Sequence, residues 1–359
     1  MAYTTIDDPS QYFHTQLYTG SGSSGLSVTN DANAGDFSPD WLWLKPRSVS
    51  DNHTIFDSSR GFDRQLKIAT DDEDTHSPAR ITRETDGFDV DTTDQNYNQS
   101  SATYVAWQWK VNAGSRTTFT ESSNNPGGGR QVNQTAGISI VDYTGTGGNG
   151  TVAHGLSDTP NLVLVKARDT GTNDSWFTHW TDLLTDAARI IYWNNQDGEA
   201  NNASAFNSTK PSSSNVTIGT NSGTNTDGKK YIMYCIQNIR GYSKVGRYVG
   251  NGSSDYGTFV NCGFAPQWLY VRRFDSGDNG QLIDRKRNSV GNTMDDFLIP
   301  DTSAAETSHA NNIKVDFLSN GFRMRQTNGI VNANGGDYVY WAYAQLPQVS
   351  SDGIPVTAK

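Results

Sequence analysis

Residues 142–168 read DYTGTGGNGTVAHGLSDTPNLVLVKAR. An aromatic strand end, Asp142-Tyr143, runs into a glycine turn, and a short strand and an Asp-Thr-Pro turn follow. The apolar run Leu162-Val163-Leu164-Val165 comes next and stops at Lys166 and Arg168. A short β-branched run bounded by turns predicts a buried strand. The same succession occurs twice more. Tyr18-Thr19-Gly20 leads to Pro39 and Trp41-Leu42-Trp43-Leu44-Lys45-Pro46-Arg47, and Tyr248-Val249-Gly250 leads to Pro266 and Trp268-Leu269-Tyr270-Val271-Arg272-Arg273. The distance from Tyr to Pro differs among the three, as expected where a surface loop varies inside a repeat.

A second marker closes each repeat. Tyr104-Val105-Ala106-Trp107, Tyr231-Ile232-Met233-Tyr234 and Tyr338-Val339-Tyr340-Trp341 share a Tyr, an aliphatic residue and an aromatic three positions on. Each repeat then holds about seven short strands in roughly 100 residues, the spacing of a β-sandwich. The fold expected is all-β, with tandem antiparallel β-sandwich repeats of the jelly-roll or lectin-like kind. The chain divides into an extended N-terminal arm (1–12), repeat 1 (13–111), a Gly/Ser/Asn-rich linker (112–135), repeat 2 (136–240), repeat 3 (241–346) and a tail (347–359). The three sandwiches are expected in a row, the first set off by the linker. The absence of a linker at Gly241 leaves open a single larger unit for the last two.

Composition narrows the function. Of 359 residues 34% are hydrophobic and 11% aromatic, with 35 glycines. That balance suits half-buried strands and tight turns rather than disorder. A net charge of −10 argues against nucleic-acid binding. No apolar run is long enough to span a membrane. The opening MAYTTIDDPSQYF is acidic and carries no apolar signal segment. Cys235 and Cys262 are expected as buried free thiols rather than a disulfide framework.

Motifs for chemistry are sparse. Gly20-x-Gly22-x-x-Gly25 and Gly145-x-Gly147-x-x-Gly150 match a dinucleotide-binding pattern, but no helical period follows them, so hairpin turns are the better reading. Asp71-Asp72-Glu73-Asp74 lacks the spacing of a calcium loop and reads as a solvated turn. The six histidines are scattered, so no metal site and no cofactor is expected. No nucleophile elbow or zinc-protease motif occurs, and no pair among the 38 acids is singled out for glycoside hydrolysis. The protein is therefore expected not to be an enzyme. Trp176, His179, Trp180 and Trp193 are the candidate ligand-binding residues, since aromatic faces stack on sugar rings; for the tryptophans, core packing is the preferred account. The cations at the strand ends, Lys45/Arg47, Lys166/Arg168 and Arg272/Arg273, are expected to face solvent.

The segments IVDYTGTGGNGTVAHGL, LVLVKAR, YIMYCI, GYSKVGRYVGNGS, WLYVRR, DFLSNGF and YVYWAYAQLP together resemble a repeat domain of structural proteins of tailed bacteriophages, marine ones especially. The likeness spans most of residues 13–346. It is weaker in repeat 1, where Gly-Leu-Ser-Val replaces Val-Ala-His-Gly-Leu. The resemblance implies a virion component assembled in the host cytoplasm, and it supplies no catalytic residues. A tail-associated fibre or appendage protein that aids host attachment is expected, with a capsid decoration protein as the alternative and a tail glycan depolymerase behind both. Its expected partners are other virion proteins held through the N-terminal arm, further copies of itself, and a host surface glycan.

Overall fold

The closing strand is the hub of each unit. The computed structural model describes residues 3–31, 36–69, 73–169, 175–288, 291–308 and 313–356. In unit 1 the closing strand Thr103–Trp109 lies between the opening strand Phe13–Thr19 and the second strand Trp41–Pro46, which pairs in turn with the third, Thr54–Asp57. Unit 2 repeats the order with Ile138–Thr144, Lys230–Ile236, Leu162–Ala167 and Trp176–Trp180. Unit 3 repeats it with Ser243–Val249, Asp337–Pro347, Phe264–Arg273 and Gln281–Asp284. All these pairs are antiparallel. A smaller sheet covers one face of each main sheet: Leu26–Val28, Phe88–Val90 and Ile81–Arg83 in unit 1, Gly150–Ala153 and Asn215–Ile218 in unit 2, and Phe259–Asn261, Gly321–Met324 and Val315–Leu318 in unit 3. With 43% strand and 4% helix, the protein is an all-β sandwich fold.

The period of two decides which core each side chain enters. Leu42 and Leu44 face the small sheet of unit 1, with Phe56, Phe88 and Tyr97. Trp41 and Trp43, one residue out of phase, face away from it. They join Trp107 and Trp109, Trp176, Trp180 and Trp193, and Trp268 and Trp341 in one cluster drawn from all three units. Every one of the nine tryptophans of the chain is in that shared core. Trp41 stacks on Trp109 at 4.5 Å and on Tyr234 of unit 2 at 4.5 Å, and Trp109 stacks on Trp341 of unit 3 at 5.9 Å. Both faces of each main sheet are thus buried, which is why its central strands read as nearly unbroken apolar runs.

Three expectations are corrected here. The sandwiches do not stand in a row, because their outward-alternating aromatics bury against one another. Residues 112–135 are not a linker: Thr117–Phe119 and Gly128–Asn133 extend the main sheet of unit 2, in register from Gly128↔Tyr143 to Asn133↔Ile138. Glycine is needed in that strand, since a Cβ on Gly128 would lie 2.0 Å from the Asp142 carbonyl oxygen. The N-terminal arm is not extended away from the body. Ile6 is buried in the shared core, the Tyr3 hydroxyl donates to Gly263 O at 2.7 Å, the Arg240 guanidinium lies 4.2 Å over the Tyr3 ring, and Asp7 accepts from Ser351 N at 2.7 Å.

The glycine turns are not hairpins but arches from the main sheet to the small one, and an asparagine clasps each. One-turn helices Gln95–Asn98, Ser222–Asn225 and Gly329–Asn332 are capped by Asp94, Asn221 and Asn328. The last residue of each is a buried Asn. Asn98 donates to Ser23 O (2.7 Å) and Thr92 O (2.9 Å) and accepts from Ser21 N (2.7 Å). Asn225 donates to Gly148 O (2.5 Å) and Gly219 O (2.9 Å) and accepts from Thr146 N (2.8 Å). Asn332 does the same with Ser253 O (3.0 Å), Gln326 O (2.8 Å) and Asn251 N (3.1 Å). Beside each clasp a tyrosine pair stacks at 4.8, 5.1 and 4.9 Å: Tyr18/Tyr104, Tyr143/Tyr231 and Tyr248/Tyr338.

Candidate functional site

The cations at the strand ends mark the seams between units. Lys45, Lys166 and Arg272 stand at one register position, opposite Val105, Ile232 and Val339 of their closing strands. All three are buried rather than solvent-facing, which corrects the sequence expectation. Lys45 donates to Pro46 O at 2.7 Å, and burial drives its ammonium down to about 7 against the pull of Asp51 and Glu306. Two residues further on, Arg168 of unit 2 grips Glu73 of unit 1 through Nε (2.7 Å) and Nη2 (3.0 Å). Arg47 of unit 1 grips Glu306 of unit 3 in the same way, at 3.0 and 2.6 Å. Unit 3 has Phe274 at this position, and the Arg272 guanidinium instead donates to Tyr192 O (3.0 Å) and Asp197 O (2.6 Å) of unit 2. Units 2, 1 and 3 are therefore joined in a closed circuit.

Each ionic seam is backed by a buried pair. Asp57 binds Arg60 at 2.6 Å and accepts from the Tyr234 hydroxyl of unit 2 at 2.6 Å. Asp284 binds Arg287 at 2.5 Å and accepts from the Trp107 indole of unit 1 at 3.1 Å. Burial raises the Glu73 carboxyl, but Arg168, Arg60 and Arg64 outweigh it and hold it below its ordinary value. Burial acts likewise on Glu306 and is outweighed by Arg287 and Arg47. The acidic loop expected at 71–74 is thus partly structural through Glu73; Asp71 and Asp72 lie outside the described residues.

One recess opens at a seam and a second within a unit. The larger, of ≈ 420 Å³, lies between unit 1 and unit 3 and is lined by Asp8, His14, Thr15, Asp31, Arg285 and Lys286 among others. His14 Nε2 is 3.1 Å from Asp31 and 3.2 Å from Gln16, and Lys286 binds Asp31 at 2.6 Å. Burial lowers the His14 imidazole below its ordinary value despite Gln16 and Asp31. The smaller recess, of ≈ 220 Å³, lies within unit 2 beside the Asp182–Lys210 ion pair and includes His179 and Trp180 in its wall.

The four candidate ligand residues from sequence do not form an exposed platform. Trp176, Trp180 and Trp193 are 0%, 3% and 2% exposed and belong to the shared core, so stacking on a sugar gives way to core packing: Trp193 meets Trp176 and Tyr270 edge to face, and Trp180 stacks on Tyr270. His179 is 2% exposed, packs on the Phe206 edge, and burial lowers its imidazole to about 4. Only His179 and Trp180 of the four reach the smaller recess. Sequence reasoning missed Arg285, Thr15 and His14, which become neighbours only when units 1 and 3 close. Among the described residues no group of three or more His, Cys, Asp or Glu is placed to hold a metal ion. No described helix is long and apolar enough to cross a membrane. Cys235 and Cys262 are buried free thiols, and burial pushes the Cys262 thiol up to about 12.

Fold and recesses define a class: an all-β protein in which three sandwich units share one aromatic core. The chain belongs to the family of the domain of unknown function DUF7483, whose profile matches residues 8–347. That span takes in all three units. No curated protein matches the chain.

Proposed function

We propose that this protein is a structural component of a bacteriophage particle, a tail-associated appendage that contributes to host attachment. The observation that carries the reading is the closure of three units around one tryptophan core, which makes a single body with a recess at the seam between units 1 and 3. Its likeness to structural proteins of tailed phages supports the same reading. Closure around a common core favours a knob over a shaft built of sandwiches in a row. That same feature suits a capsid decoration protein, the second reading.

The protein is read as a building and binding protein rather than an enzyme. In the larger recess Asp31 is held by Lys286, and Asp8 by the Ser10 N–H and hydroxyl at 3.0 and 2.7 Å, instead of two free carboxylates facing across a sugar. Incubation with host surface polysaccharide should release no reducing ends. Among the described residues of the arm, docking leaves Thr5 and Asp7 exposed for anchoring. Deleting the arm removes Ile6 from the core, so the deletion tests folding as well as incorporation.

Imaging of intact particles whose genome encodes this chain tests the reading. Density at the tail in small multiples is the expected result. Density over the capsid faces would establish the decoration reading instead, and absence from washed particles would overturn both.

A further inference from the structure

Three cations follow one another in the turn after the third strand of unit 3: Arg285, Lys286 and Arg287. Arg287 is saturated, donating to Asp284 at 2.5 Å, Glu306 at 2.7 Å and Leu282 O at 2.8 Å. Lys286 is bound to Asp31. Arg285 differs. Its guanidinium makes no hydrogen bond or ion pair with another described residue, and its Nε is buried without a partner. It is held in place by its own N–H, which donates to Gln267 O at 2.8 Å, and by the Phe317 ring 5.8 Å beneath it. Burial alone pulls its guanidinium below the ordinary value, as expected for a cation that has lost water and gained no counter-charge.

Arg285 lines the larger recess, and the opposite wall offers a second unsatisfied group. Thr15 is 4% exposed and its hydroxyl has no partner among the described residues, although nearly all buried polar groups find one. The remaining charges that face the recess are compensated or bonded: Asp31 by Lys286 and His14, and Asp8 by Ser10. Leu346 adds an apolar patch, and Gln267 and Gln345 add amides. The volume of ≈ 420 Å³ falls in the range of small-ligand sites. One uncompensated planar cation, one free hydroxyl, several amide and carboxylate groups and a small apolar surface are the complement of a sugar bearing a carboxylate. Arginine binds carboxylate in a two-pronged fork, while hydroxyls suit the polar rim.

We propose that the recess between units 1 and 3 binds an acidic sugar residue, a uronic acid or a similar carboxylated monosaccharide within a glycan. Its carboxylate lies on Arg285 and a ring hydroxyl on Thr15. For its biological purpose this rests on the attachment reading; its test does not. Calorimetric titration of the full chain with oligogalacturonate and oligoglucuronate should show binding, and the matching neutral oligosaccharides should show none. Arg285→Gln should weaken uronate binding at least tenfold, Arg285→Lys less, and Thr15→Val several-fold. Melting of Arg285→Gln should match the parent, since no described hydrogen bond or ion pair is lost. Absence of uronate binding, equal binding of neutral sugars, or an unaffected Arg285→Gln variant would overturn the proposal. So would sulfate alone binding as tightly as uronate, which would make the recess a simple anion site. If uronate binds but the chain is absent from the particles, the attachment reading fails and the site stands.

Discussion

The three seams of the ring solve one geometric problem with two chemistries. At the seams between units 2 and 1 and between units 1 and 3, an arginine just past the end of the second strand forks onto a glutamate of the neighbouring unit. At the seam between units 3 and 2 the arginine is replaced by Phe274, which is buried in the shared core. The backbone still meets in the same way: Glu306 N donates to Arg47 O and Glu199 N to Phe274 O, both at 2.7 Å. Main-chain pairing is thus common to both seams, and the side-chain charge is interchangeable with apolar burial. That agrees with the rule that a buried ion pair adds little over a hydrophobic replacement, while half of a pair is costly.

The largest effect should come from breaking an ionic seam on one side only. Glu306→Ala strips both Arg47 and the fully buried Arg287 of a counter-charge. Glu73→Ala does the same to Arg168 and Arg60. Each should lower unfolding stability by about 3–5 kcal/mol, measured by urea denaturation. Both carboxyls sit below their ordinary values in the folded state. Their contribution is therefore fully present above the unfolded value of about 4.5 and is lost as pH falls through the lower folded values. Denaturation midpoints of the parent should drop steeply below about pH 4.5, and those of Glu73→Ala less so.

A smaller effect should separate holding within a unit from holding between units. Asn332→Ala removes the side-chain hydrogen bonds that tie Asn251, Ser253 and Thr258 of the arch of unit 3, and Gln326 O, to its helical turn. It leaves buried backbone groups unpaired and should cost about 2–3 kcal/mol. Asn98→Ala and Asn225→Ala should cost the same, because the clasp recurs whichever seam chemistry the unit has. A loss confined to one of the three would show that the units are not equivalent in their own folding.

These clasps also show how far the sequence can be read. Strand alternation was legible from Trp41-Leu42-Trp43-Leu44 and its counterparts, and so was the all-β class. The clasp was legible in principle: Asn98, Asn225 and Asn332 each stand six residues ahead of Tyr104, Tyr231 and Tyr338. The closing of the ring was not legible, because a tryptophan on the outer phase of a strand reads alike whether it meets a sugar, water or another unit. Lys45 and Lys166 misled for a related reason: strand-end cations are ordinarily solvated, and only a neighbouring unit buries them. The recess at Arg285 joins residues about 270 positions apart, a juxtaposition that local pattern cannot encode.

The third seam should answer pH in the opposite sense. Asp301 lies near Arg272, yet burial raises its carboxyl to about 6 in spite of that cation. A raised carboxyl holds its proton more tightly when folded, so stability falls as pH rises from about 4 to about 6. Asp301→Asn should stabilise the protein at pH 7, by a margin that vanishes below about pH 4. Thermal melts of the two proteins at pH 3.5, 5 and 7 read this directly. A destabilised variant at pH 7 would mean that the Asp301 charge supports Arg272 after all.

The smallest effect should come from the glutamate left over at the apolar seam. Glu199 occupies the place of Glu73 and Glu306, but with Phe274 opposite it turns to its own unit, accepting from Thr185 N at 2.9 Å and from the Thr185 hydroxyl. Its partner is a partly exposed loop, and no buried cation depends on it among the described residues. Glu199→Ala should therefore cost under about 1 kcal/mol, as exposed polar contacts do, against the several expected for its two counterparts. Urea denaturation of Glu73→Ala, Glu199→Ala and Glu306→Ala side by side makes the comparison. Equal losses in all three would mean that stability at the seams comes from the loop backbone rather than from the forks. That result would undo the distinction between the ionic and apolar seams.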